Sequence, residues 1–268
     1  MSVLNQNKLN FAMLSHQGIE RQTNDDKVFA AADLGLWVLS DGVGGLAQGE
    51  QASQFVIDEI SKSIRQGGNL RTAVHSAHSV IKAYNRHEAE DRGATVVTLL
   101  NEGERYKIAW VGDSRAYLWS SQESTLVQLT KDHTLVQKLI DAGLLNPVEA
   151  KDHPQSHVIT QCLGIEDKHQ LDIGLIEHEW DFGQSVLIVS DGLYEEVSEA
   201  ELIQCLRQPR DNQAKIEQLV EMACENGGKD NLSLILIDSP IKEPKKEPKG
   251  DFKSLLNSWL SKFKKEKI

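Results

Sequence analysis

The 268-residue chain contains few cysteines and no long apolar run, and each shortage excludes some classes of protein. Its three cysteines, Cys162, Cys205 and Cys224, lie far apart and lack the close spacing of a cysteine metal site. They are typical of a protein in a reducing cytoplasm. No stretch of about 18 apolar residues is present that could cross a membrane, and the first residues lack the basic start and apolar core of a signal peptide. We therefore expect a cytoplasmic protein.

Positive charge is scarce in most of the chain. The net charge is −11, but from Pro240 onward nine lysines face four acidic residues, which leaves 20 basic and 36 acidic residues in positions 1–239. Nucleic-acid binding depends on clustered Lys and Arg, so a nucleic acid is not an expected partner. An acidic protein can still bind phosphate if cations lie between the two. The excess of acidic residues therefore indicates a protein that binds metal ions.

Short β-branched or aromatic runs alternate with helical patterns along the chain. The expected strands are 27–31, 36–39, 95–100, 106–111, 116–119, 185–189 and 232–237. Apolar residues recur at helical spacing over 52–64 and 70–84. A capping box at Ser198 and Glu201 opens a later helix, and another runs from Asp211 to Gly227-Gly228. The short links favour antiparallel hairpins with the helices outside them, which is an α+β layered domain. Residues 131–165 are less regular and predict a surface flap.

The end of the chain has a different composition. Residues 240–250 are rich in Pro and Lys and predict an extended linker after a folded domain over 1–239. Residues 251–268 predict a basic amphipathic helix, because six apolar residues recur on one side: Phe252, Leu255, Leu256, Trp259, Leu260 and Phe263. That helix is too short to cross a bilayer. Three binding partners remain open for it: the chain's own acidic body, another protein, and, weakly, an anionic membrane.

Aspartates at strand ends are the most informative feature. Asp41, Asp113 and Asp191 follow apolar strands in VLSDG, WVGDS and IVSDG, while Asp26 and Asp230 directly precede strands. One aspartate beside glycine usually marks a turn, but five that flank strands favour a shared role. Crowded carboxylates repel one another, and divalent cations relieve that repulsion. All-oxygen ligands favour Mg²⁺, Mn²⁺ or Ca²⁺ over zinc, so these residues predict a metal site.

Six motifs occur in order: RQTNDD (21–26), SDGVGGLAQGE (40–50), GDSRAYL (112–118), LTKDHT (129–134), SDGLYEEV (190–197) and GGKDN (227–231). Together they resemble the metal-dependent protein phosphatases of the protein phosphatase 2C family, in its bacterial form, over roughly residues 10–238. The resemblance implies a four-layer α-β-β-α sandwich of two antiparallel sheets flanked by helices. It also implies hydrolysis of phosphoserine and phosphothreonine in proteins by a water molecule that bridges two Mn²⁺ or Mg²⁺ ions. The expected partners are phosphorylated proteins and a Ser/Thr kinase whose action the chain opposes.

The resemblance assigns the metal ligands residue by residue. Asp41 matches the carboxylate that bridges the two ions, with the backbone carbonyl of Gly42 nearby. Asp191 and Asp230 match ligands of the first ion, and Asp26 matches a ligand of the second.

Further positions match the family's substrate and outer-metal residues. Arg21 matches the arginine that grips the substrate phosphate and is, with Asp41, an expected catalytic residue. Asp113 matches a residue of a third, weaker metal, although Glu195 stands where some relatives have Asp. Val43 replaces the histidine that eukaryotic members carry after the DG, which leaves the general acid unassigned. Three residues are expected to support the site: Asp25, Thr95 and Asn231.

Two other functions remain open. A pseudophosphatase would bind partners without turnover, but such a protein would typically have lost one of the four core aspartates. A metal-dependent hydrolase of small phosphate esters or nucleotides is the second, and no P-loop supports it. Among the histidines, His75 and His78 could pair on a metal from a helix that is expected at the surface, while His133 is expected to orient the flap.

Overall fold

The computed structural model describes residues 9–43, 48–89, 91–150, 153–165 and 171–243. In chain order, its elements are β1 (Phe11–His16), β2 (Lys27–Ala31), β3 (Leu36–Ser40), β4 (Gly42–Val43), α1 (Gln48–Arg65), α2 (Leu70–Glu88), β5 (Gly93–Ala94), β6 (Val96–Asn101), β7 (Arg105–Val111), β8 (Arg115–Ser120), β9 (Thr125–Gln128), α3 (Leu135–Asp141), α4 (Pro147–Ala150), β10 (Gly174–Glu179), β11 (Gln184–Val189), α5 (Asp191–Glu196), α6 (Glu199–Leu206), α7 (Asn212–Asn226) and β12 (Leu232–Asp238).

Two five-stranded antiparallel sheets form the centre of the molecule. One has the strand order β1-β12-β11-β8-β9 and the other β10-β7-β6-β3-β2, while β4 and β5 make a separate short ribbon. Helices α1 and α2 cover the second sheet, and α5, α6 and α7 cover the first. A third cluster of buried side chains, drawn from both sheets, fills the space between them. This confirms the expected four-layer α-β-β-α sandwich.

The layers explain why the central strands read as unbroken apolar runs. In β3, Trp37 and Leu39 enter the core between the sheets, while Leu36 and Val38 pack under α1 and α2. Successive side chains of a strand point to opposite faces, so a strand covered on both faces must be apolar at every position. The seven predicted strands are confirmed with ends that shift by one residue at most.

The helix boundaries follow from local signals. Ser198 and Glu201 form the predicted capping box of α6, and Asp211 caps α7, which ends at Gly227. Within the flap, α3 and α4 bury no residue, and Leu144 and Val148 are exposed. The part of the chain that the structure describes contains no helix long and apolar enough to cross a membrane.

The predicted domain division stays a prediction. Residues 240–243 follow β12 without regular structure, and Ile241 packs on the core between the sheets. The rest of the proposed linker and the amphipathic segment 251–268 lie outside the described residues.

Candidate metal and phosphate site

Strand polarity brings the five predicted aspartates to one end of the sandwich. Asp41 follows β3, Asp113 follows β7 and Asp191 follows β11, while Asp26 precedes β2 and Asp230 precedes β12. In an antiparallel pair, the start of one strand lies beside the end of its neighbour. Lys27 accordingly pairs with Ser40, and Val189 pairs with Leu234. Ser190, beside Asp191 in the first sheet, donates to Asp26 Oδ2 in the second at 2.9 Å, so the two groups of strand ends adjoin. The charge of Asp113 acts on Asp191 in the same place.

The carboxyl groups raise one another's pKa values, which indicates that they lie close together. Burial raises the pKa of Asp41 well above its usual range, and the charges of the other four aspartates raise it further. Burial and the charges of Asp113 and Asp230 raise the pKa of Asp191 in the same way. Burial raises the pKa of Asp26 to about 6, although hydrogen bonds from Ser233 and Ser190 oppose the shift. An acidic cluster of this kind is stable near neutral pH only if protons or cations neutralise it.

The donor set fits hard divalent cations. The site side chains offer carboxylate oxygen without cysteine or histidine, which suits Mg²⁺ and Mn²⁺. Asp25 Oδ1 and Asp113 Oδ1 are buried and find no hydrogen-bond partner among the described residues. Among the neighbouring charges, that of Asp26 contributes most to the raised pKa of Asp41, which indicates that these two carboxyl groups lie close together. A cation beside such a pair would relieve the repulsion.

The described part of the chain holds no three His, Cys, Asp or Glu side chains already arranged as a ligand set. Some of the carboxylates bind protein donors instead. Asp191 Oδ1 accepts from the Gly192 backbone at 2.7 Å, and Asp230 Oδ1 accepts from the Asn231 backbone at 2.7 Å. The other oxygen of Asp230 contacts Arg21. The fit to a cation therefore rests on oxygen chemistry, burial and charge, and binding would require these side chains to reorient.

Arg21 lies at the open edge of the cluster. Its Nη2 is 2.6 Å from Asp230 Oδ2, and half of its side-chain surface stays exposed. Partial burial lowers the pKa of Arg21, but the hydrogen bond and charge of Asp230 outweigh that effect. The guanidinium thus lies beside the carboxylates on a side chain that is half exposed to solvent.

Buried polar residues hold the aspartate backbones in place. Thr95 donates its backbone N–H to the Asp41 carbonyl at 2.8 Å, and its hydroxyl lies 2.8 Å from Ser114. Asn231 Oδ1 accepts from the Asp25 backbone, and its amide nitrogen donates to the Gln17 and Thr23 carbonyls, each at 2.8 Å. These are the supporting contacts that were expected for Thr95 and Asn231.

Close backbone approach requires the glycine after Asp41. A Cβ on Gly42 would collide with the backbone of Gly49 in the first turn of α1. A Cβ on Gly49 would in turn meet Asp25 Oδ2 and the Gly42 carbonyl oxygen at 2.8 Å. The Gly42 carbonyl therefore lies beside the acidic cluster, and only glycine at both positions allows this packing.

The flap contacts the site through His133 and His157. His133 donates its backbone N–H to the Gly112 carbonyl and accepts from the Gly112 N–H through Nδ1, which holds the flap to the loop of Asp113. His157 Nδ1 lies 2.6 Å from Glu195 Oε1 on α5. The sequence contained no local signal for this second contact. His78 accepts from the Gly164 backbone, so one member of the suspected histidine pair serves packing.

The chain is similar to a known protein family and to named bacterial proteins. The family model described as Protein phosphatase 2C matches residues 15–236. The serine/threonine protein phosphatase PstP of Mycobacterium tuberculosis is 36% identical over 238 residues, which are 86% of this chain and 45% of PstP. The protein phosphatase PhpP of Streptococcus pneumoniae is 30% identical over 247 residues, 85% of this chain and 97% of PhpP. The chain therefore spans about half the length of the first relative and nearly all of the second.

Solved structures agree with these matches. The crystal structure of M. tuberculosis PstP superposes with a TM-score of 0.78 and 35% identity, and covers 86% of this chain and 98% of that one. The PstP catalytic domain in complex with two manganese ions superposes with a TM-score of 0.75 and 34% identity, and covers 86% and 97%.

Proposed function

The chain belongs to the protein phosphatase 2C family, and from that membership we propose that it hydrolyses phosphoserine and phosphothreonine in proteins with the help of Mn²⁺ or Mg²⁺. The observation that carries the proposal is the buried acidic cluster of Asp26, Asp41 and Asp191, with Arg21 at its open edge. Such a cluster would repel a phosphate dianion. It becomes a phosphate site when divalent cations outweigh its charge.

The proposed roles follow the position of each oxygen. The charges of all four other aspartates raise the pKa of Asp41, so we propose that Asp41 would hold both ions, with the Gly42 carbonyl beside it. Asp191 and Asp230 would complete the first ion's ligands, and Asp26 would serve the second. Two such ions would offset the phosphate charge and supply an activated water.

Asp113 is proposed as the residue of a third, weaker ion. Its carboxyl oxygen is buried without a hydrogen-bond partner among the described residues, and its charge contributes to the raised pKa of Asp191. The nearby Glu195 carboxylate contacts His157. This contact supports the view that Glu195 belongs to the flap's attachment.

Arg21 is proposed to bind the substrate phosphate. One terminal nitrogen contacts Asp230, and half of the side-chain surface is exposed to solvent. A guanidinium can hold two phosphate oxygens with two parallel hydrogen bonds, which would orient the phosphorus towards the acidic cluster. Val43 carries no proton for the departing side-chain oxygen, so we assign that proton to water.

The partners remain part of the proposal. We infer phosphorylated proteins as substrates and a Ser/Thr kinase with an opposing action, in a signalling role.

The cysteines Cys162, Cys205 and Cys224 are unpaired, which supports a reducing compartment such as the cytoplasm. The pseudophosphatase alternative is not favoured, because the relatives are named as phosphatases and all four core aspartates are present.

Turnover of a phosphothreonine peptide with and without divalent ions tests the proposal. Activity should require Mn²⁺ or Mg²⁺ and disappear with EDTA, and Asp191→Asn should abolish it. Asp58→Asn, at an exposed position of α1, is the matched control and should retain wild-type activity. Full activity in metal-free buffer, or equal activity of the two variants, would contradict the proposal. Faster turnover of nucleotides or small esters than of any phosphopeptide would favour the small-ester hydrolase.

A further inference from the structure

Tyr194 links two of the acidic segments. It lies on α5, the helix that begins at Asp191, and its hydroxyl donates to the backbone carbonyl of Asp113 at 3.2 Å. Asp113 itself stands in the loop between β7 and β8. A single phenol therefore joins the loop that carries one carboxylate to the helix that carries another.

The Tyr194 ring is held in turn by Arg115. The guanidinium carbon lies 3.7 Å from the ring centroid, a distance typical of a cation–π contact. Arg115 is itself locked: Nε and Nη2 donate to Asp132 Oδ2 at 3.0 and 2.7 Å, and Nη1 donates to the Tyr117 hydroxyl at 3.2 Å. The Arg115 and Asp132 side chains keep only 24% and 10% of their surface exposed. A paired, largely buried arginine of this kind gives the ring a defined position.

The Tyr194 hydroxyl is the donor in its hydrogen bond with Asp113, because a backbone carbonyl oxygen can only accept.

We propose that Tyr194 is a positioning residue that holds the Asp113 loop at a fixed separation from Asp191. This inference rests on the proposed function, in which both carboxylates serve the same reaction. Tyr194 would not touch the substrate and would act through Asp113. Arg115 and Asp132 supply the clamp. Asp132 belongs to the flap, and the next flap residue, His133, is bonded to Gly112.

Two substitutions separate positioning from packing. Tyr194→Phe keeps the ring, which packs on the α5–α7 core, and removes only the hydroxyl that bonds to Asp113. Tyr106→Phe is the matched control, since it removes a buried phenol hydroxyl that has no hydrogen-bond partner among the described residues. We expect a drop of about 2- to 12-fold in kcat for Tyr194→Phe, the effect of one hydrogen bond. KM for the phosphopeptide should change less than twofold, and Tyr106→Phe should match the wild type.

Thermal melting gives a readout that does not depend on turnover. Both phenylalanine variants should keep the wild-type rise in Tm with increasing Mn²⁺, because the ligands proposed for the two core ions are untouched. A Tyr194→Phe variant that loses this response would overturn the inference, since Tyr194 would then support the whole site.

A double-mutant cycle with Asp113→Ala tests whether Tyr194 influences turnover through Asp113. If Tyr194 acts through the Asp113 carboxylate, Tyr194→Phe should cause no further loss in the Asp113→Ala background. An undiminished loss there, or equal kcat values for the two phenylalanine variants, would overturn the inference alone. Absence of divalent-dependent turnover in the wild type would instead overturn the proposed function and this inference together.

Discussion

Asp26→Asn should stabilise the metal-free protein while it destroys activity. Asp26 is 2% exposed, and burial, with a contribution from the charge of Asp230, raises its pKa from 3.8 to about 6. The folded state therefore holds this proton more tightly than the unfolded chain does. Above about pH 6 the proton is lost, and the folded protein bears the full cost of a buried, repelled charge.

The pKa difference sets the size of the effect. A shift of about 2 pKa units corresponds to about 3 kcal/mol of lost stability at pH 7.5. The penalty is absent below about pH 3.8, grows as the pH rises and reaches about half of its full value near pH 5. Asparagine stays neutral and can still accept from Ser190, which donates to Asp26 Oδ2 at 2.9 Å. Weaker hydrogen bonds to the amide reduce the net gain to about 2 kcal/mol, or roughly 4–8 °C in Tm for a domain of this size.

Thermal melting in EDTA between pH 5 and 8 measures this gain. The Tm of Asp26→Asn should exceed that of the wild type by more at pH 7.5 than at pH 5. Excess Mn²⁺ should reverse the order, because it binds the wild-type carboxylates. Asp58→Asn, at an exposed position, should follow the wild type at every pH. If metal-free Asp26→Asn melts at or below the wild type at pH 7.5, the carboxylates do not repel one another as described.

The remaining predictions concern the substrate, the metals and the tail. Arg21→Ala should lower kcat/KM on a phosphopeptide by about 10- to 100-fold, mainly through KM, while exposed Arg65→Ala changes nothing; equal behaviour of the two would remove Arg21 from the site. Asp113→Ala should leave two ions bound, as measured by calorimetry, and still reduce turnover; an unchanged rate at every Mn²⁺ concentration would contradict its role. Zn²⁺ should substitute poorly, since the proposed ligands are carboxylate and carbonyl oxygens; full activity with Zn²⁺ would argue against that ligand set. A chain truncated after Ser239 should retain its kcat on a small phosphopeptide; loss of hydrolysis by a folded truncated protein would place the tail in the catalytic unit.

The sequence patterns did not predict two of the edge strands, β1 and β10. The central strands were predictable because both of their faces are buried, which demands apolar residues at each position. Strand β1 carries a 37% exposed Met13, and β10 is mostly exposed. Neither has a distinctive pattern of its own. Each is a strand because it pairs with a neighbour, β12 or β7, that is distant in sequence.

The sequence alone determined the fold class, the helix caps and the set of acidic residues, because each depends on local spacing or on motifs in a recognisable order. Only the tertiary structure decided which side chains meet. Arg21 reaches Asp230 across 209 positions, Tyr194 reaches the Asp113 carbonyl across 81, and His157 reaches Glu195 across 38. Such contacts depend on sheet register and on how the layers pack, and no local pattern of residues encodes either one.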